Sequence, residues 1–398
     1  MYNVVVVGGG IVGLASALKI KEANPKLRVA VVEKENILAK HQTGHNSGVI
    51  HSGLYYKPGS LKARNCVDGY NQMIRFCDQE EIPYELCGKI VVATKNSQIE
   101  ALNTLYQRGT ENGLTGIKKL VAEELKEYEP YVNGVQGLYV PQTGIIDYKE
   151  VAIKYAEKIK HFNGDIFLGN KVIDFKENNG FIEVKTDKQT LITRLVVNCS
   201  GLFSDKVAKL TGVPVDYRII PFRGEYYKIK KEKEHLVKNL IYPVPDPAFP
   251  FLGVHFTRMI GGGIEAGPNA VFAFKREGYK RTDLNMGDLM GSLGWKGFRK
   301  VAAKYWKTGM GEFYRSFSKS AFTKALQELL PDIQKSDLEP GGAGVRAQAC
   351  DRNGGLIDDF LILESEKIIN VGNAPSPAAT SSLAIGQHVA GLALKRFS

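Results

Sequence analysis

Three groups of residues in this chain have types and spacings that could do chemistry. The first is Gly8, Gly10 and Gly13, spaced Gly-x-Gly-x-x-Gly after the apolar run Val4-Val5-Val6-Val7 and before a stretch carrying Leu14, Leu18 and Ile20. The first glycine permits a tight turn, the second lets backbone approach a pyrophosphate, and the third lets helix and strand pack closely. A helix that starts there, through Ile11 and Val12, offers free N–H groups and a partial positive charge to phosphates. Glu33 ends a second apolar run, 20 residues after Gly13. A carboxylate at that place can accept both hydroxyls of a ribose and repels a 2′-phosphate. The pattern predicts a strand–helix–strand unit for a dinucleotide without that phosphate, and does not by itself separate FAD from NAD.

The second group is His255, His51, Arg346 and Arg223. Acid–base chemistry on a small anion requires a group that takes a proton and a group that holds the anion in place. Histidine titrates at about 6.5 and suits the first task. Arginine grips a carboxylate with a planar fork and suits the second. Arg346 lies on an expected strand over 343–349 among small residues that leave room for a ligand; the competing reading is a structural salt bridge. Arg223 precedes Gly224 and either holds a distal carboxylate or braces a turn. His255 falls in an expected apolar strand over 251–256 and reads as a base or as a satisfied core histidine. His51 is its rival. The third group, His41, His45 and His51, fits no single helical face, and no acid or cysteine in the pattern completes a shell, so no metal is expected.

The chain around these residues has 398 positions, enough for two intertwined domains, with 43% hydrophobic and 24% charged residues, as in an ordinary globular protein. No apolar run is long enough for a membrane-spanning helix. The N-terminus has no basic lead and does not read as a signal peptide. Five scattered cysteines without a Cys-x-x-Cys pair predict reduced thiols in a cytosolic-type compartment. A helix is expected from a capping pair, Asp147 and Glu150, to His161, then strands over 165–168, 171–176, 182–185 and 191–199. A strand over 368–371, a turn at Gly372 and a helix over 382–394 close the chain.

Val196 to Gly201 and Val371 to Ala374 are two further strands that run into small residues. With them the sequence resembles the D-amino-acid oxidase superfamily of flavoproteins across nearly its whole length. Five stretches narrow the resemblance: His45 to Tyr56, Pro221 to Tyr226, Gly253 to Thr257, Gly344 to Gln348 and Ser376 to Ser382. Together they are similar to the L-2-hydroxyglutarate oxidase/dehydrogenase family. Arg258 is a departure, standing where a proline is expected in close relatives.

The resemblance implies an α/β fold. A Rossmann-like FAD-binding domain over 1–86, 145–210 and 336–398 carries an inserted substrate domain, a mixed antiparallel β-sheet, over 87–144 and 211–335. It implies FAD, expected to be noncovalent although His51 lies in a loop that carries a covalent link in distant relatives. The implied reaction is hydride transfer from the α carbon of L-2-hydroxyglutarate to flavin, with oxygen or quinone as final acceptor. The expected cofactor residues are Gly8, Gly10, Ile11, Val12, Gly13, Glu33, Lys34, Ser47, Gly48, Val172, Ser200, Gly201, Gly372, Ser381, Ser382 and Leu383. The expected substrate residues are Arg346, Arg223, Tyr242 and Thr257, with His255 and His51 as catalytic candidates. The alternatives are a glycine/sarcosine-type amine oxidase, a glycerol-3-phosphate dehydrogenase, or a flavin-binding redox module without turnover. An amine oxidase, whose substrate has one carboxylate, does not need two cationic clamps.

The net charge is +11, and residues 275–319 hold eleven Lys and Arg against four acids, a net +7, together with both tryptophans. A helix over 295–306 would put Trp295, Phe298, Ala302 and Tyr305 on one face and Lys296, Arg299, Lys300, Lys304 and Lys307 around the others. The pattern suits an amphipathic helix lying on an anionic membrane, on the inner face if the protein is cytoplasmic, or a helix packed on its own domain with a solvated basic face. No nucleic-acid motif accompanies the charge.

Overall fold

The computed structural model describes residues 1–246 and 252–397. Val4 to Val7 form the inner part of the strand Tyr2–Val7. It lies between Val29–Val32 and Thr190–Asn198 and runs parallel to both. Covering on both faces explains why the run has no polar alternation. Asp165–Phe167 extends the sheet beyond Val29–Val32, and Ile368–Asn373 pairs in parallel with Thr190–Asn198. Val172–Asn178, Phe181–Thr186 and Leu361–Glu364 complete eight strands with antiparallel pairings. Helices Ile11–Ala23, Tyr148–His161 and Ser382–Leu394 bury Leu14, Leu18, Val151, Tyr155, Ile385 and Val389 in one core with this sheet. The Asp147 side chain caps the middle helix by accepting from Lys149 N at 2.8 Å.

A second sheet has nine strands in the order Val271–Phe272, Tyr217–Ile229, Ile264–Gly267, His255–Arg258, Leu240–Pro243, Lys89–Ala93, Gln136–Val140 and Lys118–Val121, with Leu338–Asp351 also along Tyr217–Ile229. Among the described residues only Leu240–Pro243 and Lys89–Ala93 pair in parallel, so this sheet is mixed as expected. The strand expected over 343–349 is longer, and it pairs from Tyr217 opposite Asp351 to Ile229 opposite Leu338. A domain boundary at residue 336 therefore cuts the second sheet: Leu338–Asp351 belongs with Tyr217–Ile229, because two long strands satisfy each other's backbone along their whole length. Gly372 lies within its strand rather than at a turn. Of the strand expected over 251–256, His255 and Phe256 fall in His255–Arg258, while Phe251 lies outside the described residues. Arg258 pairs with Glu85 at the end of that strand.

The helix expected over 295–306 is two helices, Lys296–Lys304 and Trp306–Phe317, that meet at Tyr305. Trp295 does not face outward. Its indole Nε1 donates to Cys350 O at 3.0 Å, and it is buried with Phe298, Val301 and Ile220. An indole needs one acceptor when buried, and the neighbouring strand supplies it. All five cysteines are free thiols. Among the described residues no helix is long and apolar enough to cross a membrane.

Candidate active site

A cavity of about 2080 Å³ runs between the two sheets, lined at one end by Gly8, Gly10, Ile11, Val12, Glu33 and Lys34 and at the other by His51, Tyr242, His255 and Arg346. At the first end the glycines do what their spacing predicts. A Cβ on Gly13 would lie 2.0 Å from Gly8 O, and one on Gly8, whose φ is +115°, 2.5 Å from Cys199 O. Gly10 caps the helix Ile11–Ala23 with no side-chain bond, which leaves its first N–H groups turned to the cavity. Ile11 N is the exception and donates to Thr43 Oγ1 at 3.0 Å. Glu33 is oriented by its own backbone surroundings: Gly9 N donates to one oxygen at 2.6 Å and Glu35 N to the other at 2.9 Å.

At the other end the strands bring together residues far apart in sequence. Arg346 stands opposite Phe222 on neighbouring strands, and both line the cavity. The Arg346 guanidinium is open to the cavity yet surrounded by protein, and burial lowers its pKa from the usual arginine value. His255 stacks on Tyr242 with ring centroids 4.0 Å apart. Its Nδ1 lies 2.9 Å from Gly253 O. A carbonyl can only accept, so Nδ1 carries the proton and Nε2 presents a lone pair. Burial pushes the His255 imidazole down to about 4, with Lys89 and Arg346 adding to the effect. Burial likewise pushes His51 down to about 3, again helped by Lys89. Both rings are therefore neutral near pH 7 and able to take a proton. Burial lifts the Tyr242 hydroxyl to about 12, against hydrogen bonds from Thr257 and Ser47.

The family model "FAD dependent oxidoreductase" matches residues 3–392. The chain belongs to this family. It is 63% identical over 397 residues to an L-2-hydroxyglutarate dehydrogenase of Indibacter alkaliphilus, covering all of both chains. It is 43% identical to that of Escherichia coli K12, covering 98% of this chain and 92% of the relative. The mitochondrial L-2-hydroxyglutarate dehydrogenase of Mus musculus is 46% identical, with 98% of this chain and 88% of the relative covered. In fold it is similar to the L-alpha-glycerophosphate oxidase of Mycoplasma pneumoniae, with a TM-score of 0.80 at 24% identity over 99% of this chain and 94% of that one.

The residues of this FAD-dependent oxidoreductase fit its cofactor. A drug-sized ligand fills roughly 300–1,000 Å³, so the cavity has room for a dinucleotide and a small substrate together. Ser47, Val172, Ser200, Gly201 and Gly372 line it. Gly13 and Gly48 do not line it. Gly13 packs against Gly8, and Gly48 holds a positive φ of +64° close to Ile146 O. Ser381, Ser382 and Leu383 lie beneath the surface rather than on it. Ser381 and Ser382 are wholly buried, Ser382 meets Tyr155 Oη at 3.1 Å, and Leu383 is in the core. Thr257 is buried behind Tyr242 and supports that ring.

Arg223 corrects the expectation most sharply. Over Phe222 to Tyr226 the even-numbered residues line the cavity and Arg223 does not. Strand alternation turns it to the reverse face. There its Nε donates to Glu225 at 3.0 Å and its NH1 group to Lys280 O at 3.2 Å. The histidines also differ from expectation, because acids do reach His41: its Nε2 lies 3.0 Å from Glu35 and 2.9 Å from Glu277. Lys34 and Lys40 already pair with those carboxylates. Lys34 thus links the glycine end to the loop at Glu277. Tyr55, Tyr56, Tyr226 and Gln348 line the cavity without having been singled out, although each lies within a stretch that carried the family resemblance.

Proposed function

We propose that the protein oxidises L-2-hydroxyglutarate to 2-oxoglutarate. The observation that carries this reading is the meeting of Arg346 with the neutral imidazoles of His255 and His51 in one cavity that begins at the dinucleotide turn. The 63% identity to an L-2-hydroxyglutarate dehydrogenase supports it. The chemistry that FAD supplies when bound is acceptance of a hydride from carbon. Arg346 grips the carboxylate next to the carbinol carbon and so fixes which face of that carbon is presented. His255 Nε2 takes the hydroxyl proton as the carbon–oxygen double bond forms. The incoming anion raises the pKa of this base, because negative charge offsets the cations that hold it down. FAD is held noncovalently and is released on denaturation. The test is anaerobic: L-2-hydroxyglutarate bleaches the flavin absorbance, while its D-enantiomer, glycine and glycerol 3-phosphate do not. Bleaching by glycine or glycerol 3-phosphate alone refutes the assignment.

The helices of the basic segment form a surface for an anionic membrane, and the electron acceptor is oxygen or a quinone. Trp306, Met310, Tyr314 and Phe317 form an exposed row on Trp306–Phe317, with Trp306 at 59% and Phe317 at 73% exposure. Met286, Met290 and Leu293 form another on Met286–Leu293. Exposed Lys296, Arg299, Lys300, Lys304 and Lys307 lie in the same segment. Apolar rows bordered by cations suit an anionic bilayer. Cosedimentation with anionic but not neutral vesicles, reversed by salt, is the expected result. Binding to neither type, or equal salt-independent binding to both, refutes the membrane contact.

A further inference from the structure

L-2-hydroxyglutarate carries two carboxylates, and Arg346 supplies one guanidinium fork. With Arg223 turned away, the second carboxylate needs another cation on the cavity wall. Lys89 is no candidate: it is buried, its ammonium lies 4.5 Å from the Tyr55 ring centroid and 5.0 Å from that of Tyr242, and it does not line the cavity. Arg108 lines the cavity but turns to the Tyr55 carbonyl, to which its NH1 group donates at 3.3 Å. Lys62 lines the cavity as well, and contacts along the wall tie it to the reacting end.

Those contacts start at His51. Ser376 Oγ lies 3.5 Å from His51 Nε2 and hydrogen-bonds the Tyr56 hydroxyl. The Lys62 ammonium lies 5.1 Å from the Tyr56 ring centroid and 2.8 Å from Asp358 Oδ1. His51, Ser376, Tyr56, Lys62 and Asp358 all line the cavity with Arg346. Lys62 and Arg346 both disfavour a proton on His51, while Tyr56 and Asp358 both act on the Arg346 charge. Two routes, one through Ser376 and Tyr56 and one through Asp358, therefore put the ammonium on the same side of the cavity as His51 and Arg346.

The Lys62–Asp358 pair is lopsided. The Lys62 side chain is 12% exposed and that of Asp358 90%. An ion pair with so solvated a partner contributes little, so its carboxylate can be exchanged at small cost. A substrate carboxylate inside the cavity has already left much of its water and makes the stronger charge-assisted bond. Lys62 is also the second residue of the helix Leu61–Gln79, whose N-terminal partial charge adds to the attraction.

Resting on the substrate reading above, we propose that Lys62 exchanges Asp358 for the substrate carboxylate remote from the reacting carbon, and so sets the preference for a dicarboxylate over a monocarboxylate 2-hydroxy acid. Arg346 holds the near carboxylate and Lys62 the far one.

The test uses the FAD-loaded protein and its Lys62→Met, Asp358→Asn and Arg108→Met variants. Anaerobic flavin reduction is followed with L-2-hydroxyglutarate, its distal amide and L-2-hydroxybutyrate. In the parent protein the half-saturating concentration should be at least about tenfold lower for the acid than for the amide, the scale of one charge-assisted hydrogen bond. Lys62→Met should raise that of L-2-hydroxyglutarate roughly 10- to 100-fold, and change FAD content and the value for L-2-hydroxybutyrate by less than about threefold. Asp358→Asn should instead lower the value for L-2-hydroxyglutarate about two- to fivefold, because a competing carboxylate is gone. Arg108→Met should keep the acid-over-amide preference. A merely structural ion pair would shift Lys62→Met and Asp358→Asn in the same direction and on all three substrates alike. That outcome, or no acid-over-amide preference in the parent protein, or loss of the preference in Arg108→Met alone, overturns the proposal while leaving the activity intact. The parent comparison and Asp358→Asn decide the matter even if Lys62→Met fails to fold. No flavin reduction by L-2-hydroxyglutarate in the parent protein overturns the substrate reading, and this proposal with it.

Discussion

Arg346 and Arg223 sit on neighbouring strands of one sheet, one register position apart, and meet opposite environments. Arg346 pairs across from Phe222, and Arg223 across from Val345. A single step along a strand reverses the face. On the cavity face Arg346 stands among His51, His255, Tyr226 and Gln348. On the reverse face Arg223 joins a closed cluster in which Glu225 also accepts from Arg281 at 3.1 Å and from Ser316 at 2.7 Å. The cluster surrounds the Glu225 carboxylate with donors, so it stabilises one arrangement of strand and helices. The cavity face gathers Arg346 with the two neutral imidazoles of His51 and His255. Equal residue types thus divide into chemistry and architecture by strand parity.

The largest effect expected from that comparison is on Arg346. Arg346→Ala should remove about 3–5 kcal/mol of transition-state binding, roughly 10²–10⁴ in kcat/KM, with FAD still bound. Arg223→Ala should leave kcat/KM of the folded protein within about tenfold. If Arg223→Ala abolishes flavin reduction in folded, FAD-loaded protein, the two faces are not separate in function.

The two histidines sharpen the same contrast within the cavity face. His255→Asn should slow flavin reduction roughly 10²–10⁴-fold, the usual contribution of a general base. His51→Asn should slow it less; the reverse order would make His51 the base. With His255 at about 4 and His51 at about 3, both are deprotonated at neutral pH, and the rate should fall only as acid protonates them. The linkage has a definite sign. Unfolded histidine protonates at 6.5, above the folded values, so the stability that these neutral rings contribute is complete above 6.5 and is lost as pH falls toward 4. Denaturant titrations from neutral to acid pH should show a shallower loss in His255→Asn.

On the reverse face the expected effect is on folding. Arg223→Ala leaves Glu225 buried with less compensation, a loss of about 3–5 kcal/mol typical of breaking a buried pair from one side. Unfolding of the parent and the variant in denaturant measures it. The smallest effect on catalysis belongs to the outer helices. Replacing Trp306, Met310 and Phe317 together by Ser should abolish vesicle binding and leave substrate-driven bleaching unchanged. Failure of bleaching would make these helices part of the active site.

The sequence alone determined the cofactor end. Gly8, Gly10, Gly13 and Glu33 act through backbone geometry over a short local stretch, and the apolar runs on either side can form only covered strands, so spacing is enough to read them. It also marked the stretches holding Arg346, His255, His51 and the cavity tyrosines, because each stretch is a continuous piece of chain. Tertiary structure alone decided which side each residue faces. Arg223 and Arg346 have similar glycine-flanked settings, and only the register of two long strands separates them. The basic segment read as one helix, either lying on a membrane or packed on its own domain, because its charges and aromatics are periodic. Trp295 and Phe298 turn inward against Ile220 and Cys350, which decides for packing at that end, on a face that exists only once a strand remote in sequence has docked. Lys89 carried no signal in its own neighbourhood. Its environment is made by Tyr242, brought beside it by strand pairing, and by Tyr55 from a turn remote in sequence, and the burial that perturbs its charge is a property of the assembled fold.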